Sequence, residues 1–240
     1  MLQIPTLRNL NNLYQRAVSL ILPPTCISCQ DVLAPTEPLG LCPTCWQTLP
    51  RWNLETTPPP RLPLHLDSFQ APFLYEGTAR DLILQFKFAD KPEFAPALAS
   101  FLRPQLDALL ATCEKPLLIP VPLHPARLRK RLYNQAALLV QHVVKNPSAA
   151  QKAEKIPYNL TSALIKVVHT KPQGQKSAKA RQKLPKLTFF AHELAVIDHD
   201  VIIIDDICTT GSTLNAAAAQ LKKAGANSVH ALTLAYTQPS

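Results

Sequence analysis

The chain has 240 residues, 47% hydrophobic and 17% charged, enough for one α/β domain with a small appendage. No run approaches the roughly 18–20 apolar residues of a membrane helix, and Leu13–Leu22 is interrupted by Arg16 and stopped by Pro23-Pro24, so a cytoplasmic protein without membrane insertion is expected. The net charge of +9 points to polyanionic partners such as phosphorylated small molecules, nucleic acid or a membrane surface.

In chain order, Leu10, Leu13, Ala17, Val18 and Ile21 recur near the helical period and predict a helix over Leu7–Leu22. Two cysteine pairs follow, Cys26-x-x-Cys29 and Cys42-x-x-Cys45, separated by twelve residues. Each Cys-x-x-Cys turn presents two thiolates, and four complete a closed tetrahedral zinc site. Disulfides are disfavoured in the cytoplasm, and a redox centre needs one such pair at a helix start rather than two. A segment this small buries little core, so Zn²⁺ is expected as a structural metal that supplies folding energy. Pro58-Pro59-Pro60 and Pro63 read as a stiff boundary, dividing a helix and four-Cys module (1–57) from a larger α/β domain (58–240).

Beyond that boundary, Ser68–Tyr75 reads as a strand or hairpin and Thr78–Phe86 as a helix. Phe94–Ala111 reads as a helix entered or interrupted at Pro96 and Pro104. Leu117–Val121 is a short buried strand that ends in a Pro120-Val121-Pro122 turn. Arg127–Arg131 is expected as a basic turn before helix Asn134–Val144, and Ala163–His169 as an apolar strand. Thr170–Lys186 is polar, basic and aperiodic, the pattern of a mobile loop. Lys87, in Gln85-Phe86-Lys87-Phe88, reads as the polar face of an element end, and His124 as a turn residue. Val201–Ile204 is a continuous apolar run of the kind buried in a parallel sheet. Helix Ser212–Ala224 stops at Gly225, and Val229–Ala235 is expected to close the sheet. Alternation of strands and helices makes the fold class α/β, a parallel sheet flanked by helices.

The most informative stretch is Val201-Ile-Ile-Ile-Asp205-Asp206-Ile-Cys-Thr209-Thr210-Gly211-Ser212-Thr213. An apolar strand ends in two adjacent carboxylates, expected to face solvent where open α/β sheets bind ligands. A small, hydroxyl-rich turn then opens a helix, whose free N–H groups and positive dipole end suit a phosphate. Other strand–Asp-Asp–turn–helix arrangements bind Mg²⁺ without this continuation, and no Gly-Lys-Ser/Thr of a P-loop is present.

This order resembles the phosphoribosyl-diphosphate (PRPP) signature of type I phosphoribosyltransferases. The resemblance implies that Asp205 and Asp206 bind the ribose hydroxyls, that Thr209, Thr210, Gly211, Ser212 and Thr213 hold the 5′-phosphate, and that Mg²⁺ accompanies PRPP. Ile119-Pro-Val-Pro-Leu-His124, then Arg127, Arg129, Lys130, Arg131 and Tyr133-Asn-Gln-Ala136, together with the two cysteine pairs, narrow the likeness. From about Cys26 to Tyr236 the chain resembles the ComF family of competence proteins, related to amidophosphoribosyltransferases. The type I phosphoribosyltransferase fold is implied. Val121, Pro122 and Leu123 then correspond to the loop that meets pyrophosphate, and Thr170-Lys-Pro-Gln173 with Arg181 to the mobile loop over PRPP, where Lys171, Gln173, Lys176 and Arg181 are candidate contacts. Two positions depart from the family: Leu132 stands where Gly is usual, and Leu184 where Asn is expected.

Family membership implies a PRPP-binding protein of DNA uptake, with single-stranded DNA and other uptake proteins as partners. Arg127, Arg129, Lys130 and Arg131 are the candidate phosphate contacts for DNA. The alternative is an active phosphoribosyltransferase on a nucleobase or amine acceptor. No side chain is assigned a catalytic role.

Overall fold

The computed structural model describes residues 23, 25–26, 28–34, 41–52, 65–88, 91–145, 163–167 and 188–238. These fall in two compact units, Met1–Leu49 and Pro50–Ser240. The expected helix Leu7–Leu22, the Pro58–Pro63 boundary and the expected mobile loop lie outside the described residues.

In the first unit, an antiparallel bridge between Thr25 and Val32 closes a tight turn. Cys26 N–H donates to Asp31 O (2.7 Å), and Gln30 N–H to Cys26 O (2.9 Å). The reversal places Gln30 at φ 68°. The second Cys-x-x-Cys enters helix α1 (Pro43–Gln47), with Pro43 in its first turn, where a missing N–H costs nothing.

The second unit is built on a parallel sheet. Its strands are β1 (Ser68–Gln70), β2 (Phe73–Leu74), β3 (Pro116–Pro120), β6 (Asp200–Cys208) and β7 (Ser228–Tyr236). The order is β1-β7-β6-β3, and β2 continues along β7 beyond β1. Ser68–Tyr75 is therefore no hairpin but one interrupted line of parallel pairing. Nor does β7 close the sheet: it lies between β1 and β6, with Ile203 opposite Ala231. Burial on both faces explains the placement, since Val201–Ile204 and Val229 through Tyr236 hold almost no exposed residue.

Helix α2 (Gly77–Phe88) buries Leu82, Ile83 and Phe86. A 3₁₀ turn at Pro92–Phe94 leads into α3 (Ala95–Leu110), which runs continuously through Pro104 rather than breaking there. Pro96 sits in its first turn, where proline is tolerated. Arg127–Arg131, expected as a turn, belongs to helix α4 (Pro125–Arg131), because His124 caps it by accepting from Ala126 N–H (3.2 Å) and Pro125 pre-sets its entry. Helix α5 (Gln135–Lys145) follows.

Leu164–Lys166 (β4) does not join the parallel sheet. It pairs antiparallel with β5 (Phe189–Ala191), with Lys166 opposite Phe189. A short helix α6 (Glu193–Val196) leads to β6, and α7 (Ser212–Lys223) follows it. Trp52, Phe69 and Tyr236 form an aromatic cluster with centroids 5.5–5.8 Å apart, a favoured separation for tilted rings. At the amino ends of the strands, buried Asp200 accepts from the N–H groups of Glu114 and Lys115 (2.9 and 3.2 Å), from Asn227 (3.0 Å) and from Ser228 Oγ (2.6 Å). That clamp joins β6 to the entry of β3 and the start of β7.

Candidate functional site

A cavity of about 480 Å³ opens at the carboxyl ends of the parallel strands, where the topology of open α/β sheets puts ligands. The end of β6 supplies Asp205, Asp206 and Ile207, and the turn after it Thr209 and Thr213. The loop after β3 supplies Val121, Pro122 and Leu123. That loop is held by Val121 N–H, which donates to Ile204 O (2.8 Å), and by Asn134 Nδ2, which donates to Val121 O (3.1 Å).

The turn after β6 reverses at Gly211, φ 69°, a left-handed conformation that favours glycine. Gly211 is the N-cap of α7, and Thr210 Oγ1 and Ser212 Oγ lie 2.8 Å apart across it. Thr210, Gly211 and Ser212 shape the turn, while Thr209 and Thr213 reach the cavity wall.

The two carboxylates differ from the solvent-facing pair expected from the sequence, because β6 runs on to Cys208 and carries them into packed surroundings. Asp206 is buried, and its Oδ1 lies 2.9 Å from Lys87 Nζ; these side chains are 10% and 18% exposed. Asp205 is partly buried and accepts from the N–H of Asp206 (2.9 Å). Burial, and next the neighbouring Asp206 carboxylate, push Asp205 up to about 7.

Lys87 is therefore a site residue that the sequence pattern did not single out. Its position depends on the Tyr133-Asn-Gln-Ala136 segment. Tyr133 Oη donates to Phe86 O (2.8 Å), and Gln135 Nε2 to Lys87 O (3.4 Å), pinning the end of α2. Asn134 Oδ1 meanwhile accepts from Ala136 N–H (3.1 Å) and caps α5. A lysine between two phenylalanines at a helix end was the available signal, and it needed the fold to acquire meaning.

The four basic candidates separate. Arg127 and Arg131, one helical turn apart on α4, both line the cavity. Arg129 is exposed, and Lys130 is placed on the same helix. The Arg131 guanidinium lies 5.0 Å from the ring centroid of Phe88, itself 67% exposed at the cavity. Lys166 enters the same space from β4. Lys171, Gln173, Lys176 and Arg181 lie outside the described residues. Leu132, at the position where Gly is usual, adopts φ 63° and is 80% exposed.

In the first unit, the thiols of Cys26, Cys29, Cys42 and Cys45 all lie within 4.8 Å of one another, with Cys29 and Cys42 Sγ 3.6 Å apart. A regular tetrahedron of Zn–S bonds has edges of about 3.8 Å, whereas a disulfide brings sulfurs to about 2 Å. Cys45 N–H also points to Cys42 Sγ (3.5 Å), an orientation that favours a thiolate. The four cysteines can hold a metal such as zinc.

A phosphoribosyl transferase domain model matches residues 140–240. The chain is 30% identical to DNA utilization protein YhgH of Salmonella typhi, over 83% of this chain and 85% of that protein. It belongs to the ComF family. Competence protein F of Haemophilus influenzae is 37% identical over 49% of this chain and 49% of its own length, so that match spans about half of each protein. Competence protein ComFC of Streptococcus pneumoniae is 27% identical over 70% of this chain and 67% of its own length. Within the family frame, β6, α7 and β7 fall inside the matched transferase segment. Lys87, Val121 and Arg127 come from before it. Among the described residues, no helix is long and apolar enough to cross a membrane.

Proposed function

We propose that this ComF-family protein binds PRPP with Mg²⁺ at the end of β6 and acts in DNA uptake, contacting single-stranded DNA and other uptake proteins. One observation carries the reading: an adjacent carboxylate pair, a hydroxyl-lined turn and four basic side chains converge on one cavity. Asp205 and Asp206 accept hydrogen bonds from the ribose diol. The turn Thr209–Thr213 takes the 5′-phosphate through its N–H groups and the hydroxyls of Thr209 and Thr213. Val121, Pro122 and Leu123 border the diphosphate. Mg²⁺ bound together with PRPP would neutralise charge on its diphosphate. Lys171, Gln173, Lys176 and Arg181, outside the described residues, are the further ligand contacts that the family resemblance assigns. Zinc on Cys26, Cys29, Cys42 and Cys45 holds the first unit together. The names of the relatives, competence and DNA utilization proteins, support the uptake role. Exposed Arg129, with Lys130 beside it in sequence, supplies phosphate contacts for a single strand, in an affinity that falls steeply with salt.

A second reading has its own observation. Phe88, exposed at the cavity and topped by Arg131, is a flat surface of the kind on which planar rings stack. It fits an active phosphoribosyltransferase with a nucleobase acceptor. One experiment divides the two: titrate single-stranded DNA with and without Mg-PRPP, and measure diphosphate released from PRPP with and without nucleobases. Salt-sensitive DNA binding without turnover supports the first reading, and acceptor-dependent diphosphate supports the second. Failure of PRPP to bind removes both.

A further inference from the structure

The four thiols of the first unit are not equally placed. Cys26, Cys42 and Cys45 are 0%, 8% and 8% exposed, whereas Cys29 is exposed in the turn closed by the Thr25–Val32 bridge. An oxidant arriving from solvent therefore meets Cys29 first. Its sulfur has an acidic neighbour, with Asp31 Oδ2 3.2 Å from Cys29 Sγ. A protonated thiol donates across that distance. A thiolate holding a metal has no proton to give, so the contact becomes a repulsion between two anions. The N–H of Asp31 favours the thiolate and its carboxylate works against it. Cys42, by contrast, is buried and takes the N–H of Cys45 at 3.5 Å, a donor that steadies negative charge on its sulfur. Cys29 is the open corner of the cluster.

We propose that Cys29 is an oxidation site, and that a peroxide converts it and Cys42 into a disulfide that opens the metal-binding cluster. The inference rests on the zinc reading of the four cysteines and is independent of the PRPP cavity. First, the Cys29 thiolate attacks one oxygen of hydrogen peroxide. The O–O bond breaks, hydroxide leaves, and Cys29 becomes a sulfenic acid. Next, Cys42 Sγ attacks the Cys29 sulfur; the S–S bond forms, the S–O bond breaks, and a second hydroxide leaves. The two thiolates lose a pair of electrons, the peroxide takes it, and solvent protons turn both hydroxides into water. Cys42 is within reach, because its Sγ lies 3.6 Å from that of Cys29. A disulfide of about 2.05 Å asks the sulfurs to close by only about 1.5 Å. The cluster then keeps half of its donors, too few for a closed tetrahedral site. A unit with little core loses its fold along with the metal. Thiol reductants reverse the bond, and transient disulfides of this kind serve redox sensing in reducing compartments.

The test uses the full-length protein isolated with its zinc and titrated with hydrogen peroxide. A chromogenic chelator follows zinc release, and mass spectrometry of alkylated peptides maps the bonds. About one equivalent of peroxide should release about one equivalent of zinc, since one peroxide makes one disulfide. The mapped bond should be Cys29–Cys42, and dithiothreitol with added zinc should restore the starting state. Dimedone, which traps sulfenic acids, should label Cys29. Asp31→Asn leaves all four ligands in place and removes the opposing carboxylate. It should release zinc roughly three- to tenfold more slowly under peroxide, the scale of one contact to a charged group. Dimedone on a buried cysteine, or a disulfide within either Cys-x-x-Cys turn, overturns the proposal. An unchanged rate in Asp31→Asn refutes the part given to that carboxylate. A chain that keeps its zinc under excess peroxide overturns the oxidation site and leaves the zinc reading standing. A chain isolated without any metal overturns both.

Discussion

Replacing Asp205 by Asn should make the ligand-free protein more stable at alkaline pH and less able to bind PRPP. Burial and the adjacent Asp206 push the Asp205 carboxyl up to about 7, against about 3.9 in an unfolded chain. The folded state therefore binds this proton more tightly than the unfolded state does. The stability contributed is fully present below about pH 4 and is lost as pH rises through about 7. The gap spans about three pH units, each worth about 1.4 kcal/mol. Because Asp205 is partly exposed, on the order of 2–4 kcal/mol is at stake. The Asn side chain has nearly the same shape and no proton to lose, so it escapes that loss. At about 2–4 °C per kcal/mol for a domain of this size, Asp205→Asn should melt roughly 5–12 °C above the wild type at pH 8. The two should converge near pH 4–5. Thermal melts in magnesium-free buffer without chelator measure this across the range. Adding Mg-PRPP at pH 8 should reverse the ranking, since only the wild type gains a ligand. A constant difference from pH 5 to 8, or a variant less stable at pH 8, would refute a strained carboxylate at this position.

Lys87→Met leaves Asp206, 10% exposed, without its counter-charge and should cost about 2–3 kcal/mol. Denaturant midpoints should show that loss largely recovered in the double variant with Asp206→Asn, and no recovery would deny the pairing. For Asp200, burial works against the charged form, but hydrogen bonds led by Ser228 and the N–H groups of Lys115 and Glu114 prevail and hold it below the usual carboxylate range. Its contribution is present above about pH 4 and disappears as pH falls through the folded value; Asp200→Ala should lose about 3 kcal/mol at neutral pH and show a shallower acid transition. Leu132→Gly should raise stability by about 1 kcal/mol, because φ 63° strains a leucine and its exposed side chain packs little; a lower melting temperature would contradict this. Cys42→Ser should abolish zinc content measured by elemental analysis and leave the first unit open to proteolysis, whereas wild-type protein isolated without metal would remove the zinc assignment.

Patterns that lie along a continuous stretch of chain are legible in the order of amino acids alone. The Val201–Ile204 run, the acid pair and the hydroxyl turn specify strand, site and helix start through local burial and backbone chemistry. The two Cys-x-x-Cys turns likewise bring thiolates into pairs through spacing alone, and the fold places all four together. What the tertiary structure decided is which distant residues meet. Lys87 and Asp206, Lys166 and Asp205, and Asn134 and Val121 are brought together by strand order and helix packing, and periodicity carries no record of such pairings. The sheet order β1-β7-β6-β3 also had to come from the fold, because a strand buried on both faces reads the same at the centre of a sheet wherever its neighbours lie in sequence. The charge balance of the cavity follows from those meetings, since the cost of a charge is set by its burial and its partners, and both are properties of the folded chain.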